Sequence, residues 1–138
     1  MKNLEIFIDG ASKGNPGHAG IGVVICQDGE TIRNISHYIG TATNNFAEYT
    51  ALIHALEEAL ILKADTLKIK SDSQLLCHQL NKIYKVRHPN IIGLYNQAIH
   101  LLSAFKGFTV KHIPREENIG ADKLANLAVK KHCKAKIQ

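Results

Sequence analysis

Alternating and helical patterns of apolar residues divide the chain into nine elements. Runs in which apolar and polar residues alternate, or in which apolar residues are continuous, predict strands over 4–8, 20–27, 30–39, 66–70 and 108–113. Apolar residues at helical spacing predict helices over 46–62, 71–80, 90–105 and 121–130. The predicted order is therefore β-β-β-α-β-α-α-β-α.

The order of these elements predicts an α/β fold. Asp28-Gly29 between two strands is a strong hairpin signal, because a type I′ turn needs positive φ at both central residues. The first three strands are therefore expected to pair antiparallel, whereas the later strand-helix-strand connections give parallel pairing. We predict a mixed five-stranded sheet flanked by helices, with a glycine-rich turn over 10–17.

Bulk composition favours a single soluble domain over 1–138. The hydrophobic fraction of 45% and the charged fraction of 21% are ordinary for a globular protein. No apolar run approaches the roughly 20 residues of a membrane helix, so no membrane partner is expected. Three distant cysteines and an N-terminus without a signal-peptide pattern favour the cytoplasm. We expect a monomer without an obligate protein partner.

The formal net charge of +5 suits a polyanionic partner such as nucleic acid. Mild basicity is also common in proteins that bind no polyanion, so charge alone does not decide. Part of the excess lies in a lysine-rich run over 130–136, which equally fits a solvated helix end.

Four carboxylates stand at junctions between predicted elements: Asp9, Glu48, Asp72 and Asp122. Each has a structural alternative. Asp9 suits a turn, Glu48 and Asp72 suit helix caps, and Asp122 suits the positive end of a helix dipole. Acids at strand ends and helix starts can nevertheless meet in space, and converging carboxylates repel one another unless a cation is bound.

Two observations favour the cation. Glu48 shares a helical face with Leu52, at i and i+4, and is expected to point toward the sheet. Asp9 and Asp72 follow strands whose carboxyl ends form the usual ligand-binding edge of an open α/β sheet. The glycines after Asp9 would also let the backbone approach a ligand closely.

Four ordered motifs around these acids resemble type 1 ribonuclease H. They are Ile8-Asp9-Gly10-Ala11-Ser12 with Gly14-Asn15-Pro16-Gly17, Thr43-Asn44-Asn45 with Ala47-Glu48, Ser71-Asp72-Ser73-Gln74, and Asn118 with Ala121-Asp122 and Leu124-Ala125. The resemblance covers nearly the whole chain. It implies a ribonuclease H-like fold and metal-dependent cleavage of the RNA strand of RNA–DNA hybrids, giving 5′-phosphate and 3′-hydroxyl ends.

The same resemblance implies the cofactor and the substrate contacts. The four acids would bind two Mg²⁺ ions, with Mn²⁺ as a substitute. Asn15, Asn44, Asn45 and Gln74 would reach the minor groove of the hybrid, and backbone groups of Gly10 and Ser12 would touch RNA 2′-hydroxyls. Thr43 would hold a phosphate of the DNA strand, and either His88 or Asn90 would make a further phosphate contact.

The chain also departs from the family pattern. The loop before Asp122 lacks the histidine that many members carry, and Arg115 is the candidate substitute. The alternative is that Arg115 pairs with Glu116, Glu117 or a nearby acid. A lysine- and tryptophan-rich protrusion is missing. His112, at the end of the last predicted strand, could lie near the acids, but it is expected to be a packed, neutral residue at the edge of the core. Rival functions are a non-catalytic nucleic-acid-binding domain on the same scaffold and an actin-like phosphotransferase, which would need a second lobe.

Overall fold

The computed structural model describes residues 1–137, with side chains up to Lys134, and it confirms the predicted order of elements. The strands are β1 (Asn3–Gly14), β2 (Gly17–Gln27), β3 (Glu30–Ala42), β4 (Thr66–Ser71) and β5 (Gly107–His112). The helices are α1 (Asn44–Ile61), α2 (Gln74–Leu80), α3 (Pro89–Leu102) and α4 (Ile119–Ile137). A 3₁₀ turn, Arg115–Glu117, precedes α4.

The five strands form one mixed sheet in the order β3-β2-β1-β4-β5. β2 pairs antiparallel with both β1 and β3, whereas β4 pairs parallel with β1 and β5. Asp28 and Gly29 have φ values of 52° and 82°, as the predicted hairpin turn requires. The predicted fold class is therefore confirmed, and the carboxyl ends of β1 and β4 lie side by side.

The core lies between the sheet and α1. Apolar side chains of β1 and β4 pack against buried residues of α1, including Leu52 and Leu56. On the other face of the sheet, α4 packs on β2 at Gly20 and Gly22. A Cβ at Gly22 would lie only 2.0 Å from the carbonyl oxygen of Ala121, so glycine is required for this approach. None of the helices within residues 1–137 has the length and apolarity needed to cross a membrane.

The prediction of a long glycine-rich turn over 10–17 is wrong. β1 continues to Gly14 and pairs with β2 up to Gly17, so only Asn15 and Pro16, joined by a cis peptide bond, form the turn. Glycine is needed at position 17 because a Cβ there would lie 2.2 Å from the carbonyl oxygen of Lys13. The segment after Asp9 is thus part of a hydrogen-bonded hairpin instead of a loop.

The helix starts agree with the prediction for α1 and differ for α2. Thr43 is the N-cap of α1, and its side chain accepts a hydrogen bond from the N–H of Phe46. The N-cap of α2 is Ser73, so the helix predicted from position 71 begins three residues later, at Gln74, and Asp72 is not its cap. Ser71 is the last residue of β4, and its Oγ accepts from the N–H of Ser73, so Asp72 lies in the bend between strand and helix.

Candidate active site

Three of the four predicted carboxylates form a tight cluster at the carboxyl ends of β1 and β4. Oxygen atoms of Asp9, Glu48 and Asp72 all lie within 4.8 Å of one another. The side chains of Asp9 and Glu48 are buried, with relative exposures of 5% and 9%, although carboxylates are rarely buried without a partner. We refer to these three residues as the carboxylate cluster.

Asp122 lies beside the carboxylate cluster in the first turn of α4. It is close enough to Asp9 to affect the pKa of that residue. Oδ1 of Asp122 accepts a hydrogen bond from Nδ2 of Asn126 at 3.2 Å and lies 3.8 Å from Nη2 of Arg115. The structure therefore brings all four acids to one place, with the fourth held separately by its own neighbours.

Close backbone contacts determine where these side chains meet. The N–H of Gly10 donates to Oε2 of Glu48 at 3.1 Å, and also to Oδ1 of Asp9 at 3.0 Å. Nδ2 of the buried Asn118 donates to the backbone carbonyl of Ile8 at 2.9 Å. The backbone carbonyl of Asn118 accepts a hydrogen bond from the N–H of Asp122. β1 is thus tied both to α1 and to the start of α4.

The cluster is electrostatically strained in the absence of a cation. Burial, followed by the charge of Asp72 and a hydrogen bond with Asp122, raises the pKa of Asp9 to about 8. Burial and the charge of Asp9 raise the pKa of Glu48 well above its usual range. Within the part of the chain whose side chains are described, no lysine or arginine forms an ion pair with the carboxylate cluster.

The donor set therefore fits a hard divalent cation. Buried carboxylate oxygens that face one another without a basic partner are the ligands that Mg²⁺ and Mn²⁺ prefer. An open cavity of about 460 Å³ adjoins the cluster and is wide enough to admit a phosphodiester group as well as ions. Its lining includes the four acids together with Gly10, Ser12, Lys13, Asn44, Asn45, Arg115 and Asn126.

A second cavity, of about 560 Å³, is adjacent to the first, because Asn45 lines both. It gathers the other predicted substrate contacts: Asn15, Thr43, His88 and Asn90. Nδ1 of His88 accepts a hydrogen bond from the N–H of Asn90 and caps α3, so one of its two ring nitrogens is already used. Gln74 is exposed at the start of α2 and lines neither cavity.

The two predicted backbone contacts are partly used within the protein. The N–H of Gly10 is donated to the acids, as described above, and the N–H of Ser12 is donated to Oδ1 of Asn44 at 3.1 Å. Asn44 in turn donates its N–H to Oδ1 of Asn15. A contact between these positions and an RNA hydroxyl would have to use groups other than those two N–H donors.

Two expectations about individual side chains are resolved by the structure. His112 is not packed in the core, and that prediction is wrong. It is exposed at the end of the edge strand β5, with Nε2 3.3 Å from the carbonyl oxygen of Asp72. Arg115 pairs with Asp122, so of its predicted partners the site acid is the one that it contacts.

Sequence reasoning missed Asn126 and Lys13, and it gave no role to Asn118. Asn126 follows Asp122 at i+4, a spacing that places two side chains on one helix face and that could have suggested the contact. Lys13 gave no such signal, because Nζ of Lys13 contacts Asn126 across 113 positions of sequence.

Comparison with known proteins identifies several relatives. A family model described as "Reverse transcriptase-like" matches residues 7–128. Ribonuclease HI of Halobacterium salinarum is 41% identical over 127 residues, which cover 91% of this chain and 64% of the relative. The bifunctional protein Rv2228c of Mycobacterium tuberculosis is also 41% identical, over 128 residues that cover 91% of this chain. The matched region spans only 35% of that relative.

Solved structures of RNase H1 proteins also superpose on this chain. RNase H1 of Halobacterium salinarum superposes with a TM-score of 0.91 at 39% identity, covering 94% of this chain and 98% of that chain. LC11-RNase H1, solved in complex with an RNA/DNA hybrid, superposes with a TM-score of 0.89 at 39% identity, covering 94% and 99% of the two chains.

Proposed function

The chain belongs to the type 1 ribonuclease H family, and from this premise we propose that it is an endoribonuclease that cleaves the RNA strand of RNA–DNA hybrids. Its relative LC11-RNase H1 binds an RNA/DNA hybrid. We further propose a metal-dependent reaction that leaves 5′-phosphate and 3′-hydroxyl ends, carried out by a monomer in the cytoplasm.

The carboxylate cluster is the observation that carries this proposal. Asp9 and Glu48 are buried against one another and against Asp72, with no basic partner among the described side chains, an arrangement that is costly for a bare protein. A domain that only bound nucleic acid would gain nothing from negative charge facing phosphates. The buried carboxylates of Asp9 and Glu48 therefore argue against the rival function, a non-catalytic nucleic-acid-binding domain.

Asp9, Glu48, Asp72 and Asp122 would hold the metal. When bound, two Mg²⁺ ions, or Mn²⁺ in their place, would activate the attacking water and offset the charge that develops on the departing 3′ oxygen. For this, the protein has to hold the four carboxylates close to one another. Gly10 and Asn118 support that task, because their hydrogen bonds fix β1 against α1 and α4.

The two adjoining cavities would hold the hybrid. Asn44 and Asn45, at the start of α1, present short amides that can read 2′-hydroxyls and base acceptors with little sequence preference. Thr43 would hold a phosphate of the DNA strand, and His88 or Asn90, which line the same second cavity, would make a further phosphate contact. The net charge of +5 adds long-range attraction for the polyanion.

Arg115 would assist the chemistry from the rim of the first cavity. Its side chain is 76% exposed, and its Nη2 lies 3.8 Å from Oδ1 of Asp122, so a phosphate in the first cavity could approach it from solvent. We assign it to turnover, at the step where the cleaved phosphate leaves, in place of the loop histidine that this chain lacks.

The test is a cleavage assay with labelled RNA–DNA hybrid, duplex RNA and duplex DNA, each with Mg²⁺, Mn²⁺ or EDTA. We expect cleavage of the RNA strand of the hybrid only, abolished by EDTA and by Asp9→Asn. Asp28→Asn, at an exposed hairpin position, is the matched control and should cleave like the wild type.

Three results would contradict the proposal: cleavage of DNA, hybrid cleavage that survives EDTA, or full activity of Asp9→Asn. Tight hybrid binding without cleavage under any metal would favour the non-catalytic alternative. Labelling of the 5′ ends of the products by a polynucleotide kinase checks the predicted 5′-phosphate. We expect the products to be labelled only after phosphatase treatment.

A further inference from the structure

A chain of hydrogen bonds links the tip of the β1–β2 hairpin to Asp122. Nζ of Lys13 donates to Oδ1 of Asn126 at 2.5 Å. Nδ2 of Asn126 donates to the carbonyl oxygen of Asp122 at 2.9 Å and to its Oδ1 at 3.2 Å. The amide of Asn126 therefore uses both of its ends.

Lys13 and Asp122 together set which way this amide faces. An ammonium group can only donate hydrogen bonds, so the amide oxygen of Asn126 must turn toward Lys13. The NH₂ group is then left facing Asp122, where a carboxylate oxygen can only accept. Without the lysine, the amide keeps its donors toward Asp122 but loses the contact that holds its other end.

The contact depends on the packing of α4 against the sheet. Alternate residues of a strand face opposite sides, so Asp9 and Lys13 share one side of β1. The cross-strand partner of Asp9 is Gly22, which has no side chain and lets α4 approach. On α4, Asp122 and Asn126 are one turn apart, so the first reaches Asp9 while the second reaches Lys13.

Asn126 sets the orientation of the carboxylate of Asp122. Arg115 approaches the same oxygen, Oδ1, but at 3.8 Å and from an exposed position, which is too far for a hydrogen bond. Asn126 is thus the closer of the two donors. Because Oδ1 of Asp122 faces Asn126 and Arg115, the second carboxylate oxygen of Asp122 is the one left for a cation held by the carboxylate cluster.

We propose that Asn126, oriented by Lys13, is a positioning residue that holds Asp122 so that it completes a divalent-cation site with Asp9, Glu48 and Asp72. This inference rests on the proposed function of the same site. It gives Lys13 an indirect role in metal binding, through Asn126 and Asp122. An exposed lysine beside the cavity would otherwise be interpreted as a direct contact to the nucleic-acid backbone.

The test measures Mn²⁺ binding to the free protein by electron paramagnetic resonance, alongside hybrid cleavage. We expect Asn126→Ala to weaken Mn²⁺ binding roughly 10-fold, the lower end of the loss usual for residues that orient a metal ligand. The Mn²⁺ concentration for half-maximal cleavage should rise by a similar factor, with an unchanged KM for hybrid at saturating metal. Asn126→Asp, which keeps an acceptor for Lys13 but loses the donor, should be at least as weak.

A double-mutant cycle tests the role of Lys13. We expect Lys13→Met to weaken Mn²⁺ binding by a smaller factor, and the double variant Lys13→Met/Asn126→Ala to bind no more weakly than Asn126→Ala. Asn34→Ala, at an exposed asparagine of β3, is the matched control and should equal the wild type. Thermal unfolding in EDTA checks that each variant is folded.

Wild-type Mn²⁺ affinity in a folded Asn126→Ala variant would overturn the inference. A rise in KM of the same size when Lys13→Met is made in both backgrounds would overturn the assignment of Lys13, since it would show a direct contact to nucleic acid. If the wild type binds Mn²⁺ but cleaves nothing, the proposed function fails, while the binding data still decide the role of Asn126. A wild type that binds no Mn²⁺ overturns both.

Discussion

The N–H of Gly10 donates to Oε2 of Glu48 at 3.1 Å, across a contact that leaves no room for a side chain at position 10. A Cβ on Gly10 would lie 2.4 Å from the carbonyl carbon of Ala47 and 2.5 Å from the nitrogen of Glu48. The absence of that one atom sets the spacing between β1 and α1. It therefore sets the distance between the carboxylates of Asp9 and Glu48 as well.

Gly10→Ala should push α1 away from β1. We expect the free energy of unfolding to fall by about 2–3 kcal/mol, as is usual when a packed contact is overfilled. Stabilisation by Mg²⁺ should be lost as well, because Asp9 and Glu48 would separate. Urea denaturation with and without Mg²⁺ measures both effects.

The matched control is Gly93→Ala, on α3, where a Cβ would meet nothing within 4 Å. Alanine favours a helix over glycine by up to ~1 kcal/mol, so this variant should be as stable as the wild type or slightly more stable. Equal stabilities of Gly10→Ala and the wild type would show that the β1–α1 contact does not set the site.

Asp9→Asn should stabilise the metal-free protein at high pH. The folded protein holds a proton on Asp9 up to about pH 8, whereas the ordinary pKa of this group is 3.8. Between those values the unfolded chain binds fewer protons than the folded one, so the free energy of unfolding of the wild type falls as pH rises. At pH 8 in EDTA, the variant should be more stable by on the order of 2 kcal/mol.

Urea denaturation of both proteins in EDTA from pH 5 to pH 8 tests this. The difference in free energy of unfolding should shrink toward pH 5, and Asp28→Asn should follow the wild type at every pH. Mg²⁺ should stabilise the wild type more at pH 8 than at pH 5, because the cation competes with protons for the same oxygens. A difference between Asp9→Asn and the wild type that does not grow with pH would contradict the raised pKa.

Arg115→Ala should lower turnover without affecting the metal. The ion pair with Asp122 is long and exposed, so its loss should change the free energy of unfolding by less than about 0.5 kcal/mol. We expect kcat to fall about tenfold, less than the loss of roughly 100-fold or more that is usual for a general acid or base, because Arg115 would act only when the product leaves. Calorimetric Mg²⁺ binding should stay at the wild-type value. Arg33→Ala, which removes another exposed ion pair, should alter neither quantity, and an unchanged kcat in Arg115→Ala would remove this arginine from the site.

His88 and Asn90 can be separated by measuring KM and stability together. Asn90→Ala should raise KM for hybrid by about 3- to 10-fold, the equivalent of one hydrogen bond, with little change in stability. His88→Ala should cost about 1 kcal/mol of stability, because Nδ1 of His88 caps α3. His88→Asn, which keeps a capping side chain, should restore that stability. A larger rise in KM for His88→Asn than for Asn90→Ala would assign the phosphate contact to His88 instead.

Local rules predicted much of this fold because they concern neighbours in sequence. Glu48 was predicted to face the sheet from its spacing to Leu52, and it is buried there. The turn at Asp28-Gly29 is likewise predictable from two adjacent residues. Errors arose where pairing extended further, as at Gly14 and Gly17, whose ladder contact converts a predicted loop into a hairpin.

The order of strands and helices, and the position of four acids at their junctions, can be read from the amino-acid sequence, since periodicity, capping and turn chemistry act over a few residues. Tertiary packing is what makes Asp9, Glu48 and Asp72 the tight cluster and places Asp122 beside it, in contact with Asn126. It also decided that His112 is exposed and that Lys13 reaches Asn126. These outcomes depend on how closely α1 and α4 approach the sheet at Gly10 and Gly22. They cannot be predicted from neighbouring residues, because the contacting segments are far apart in sequence.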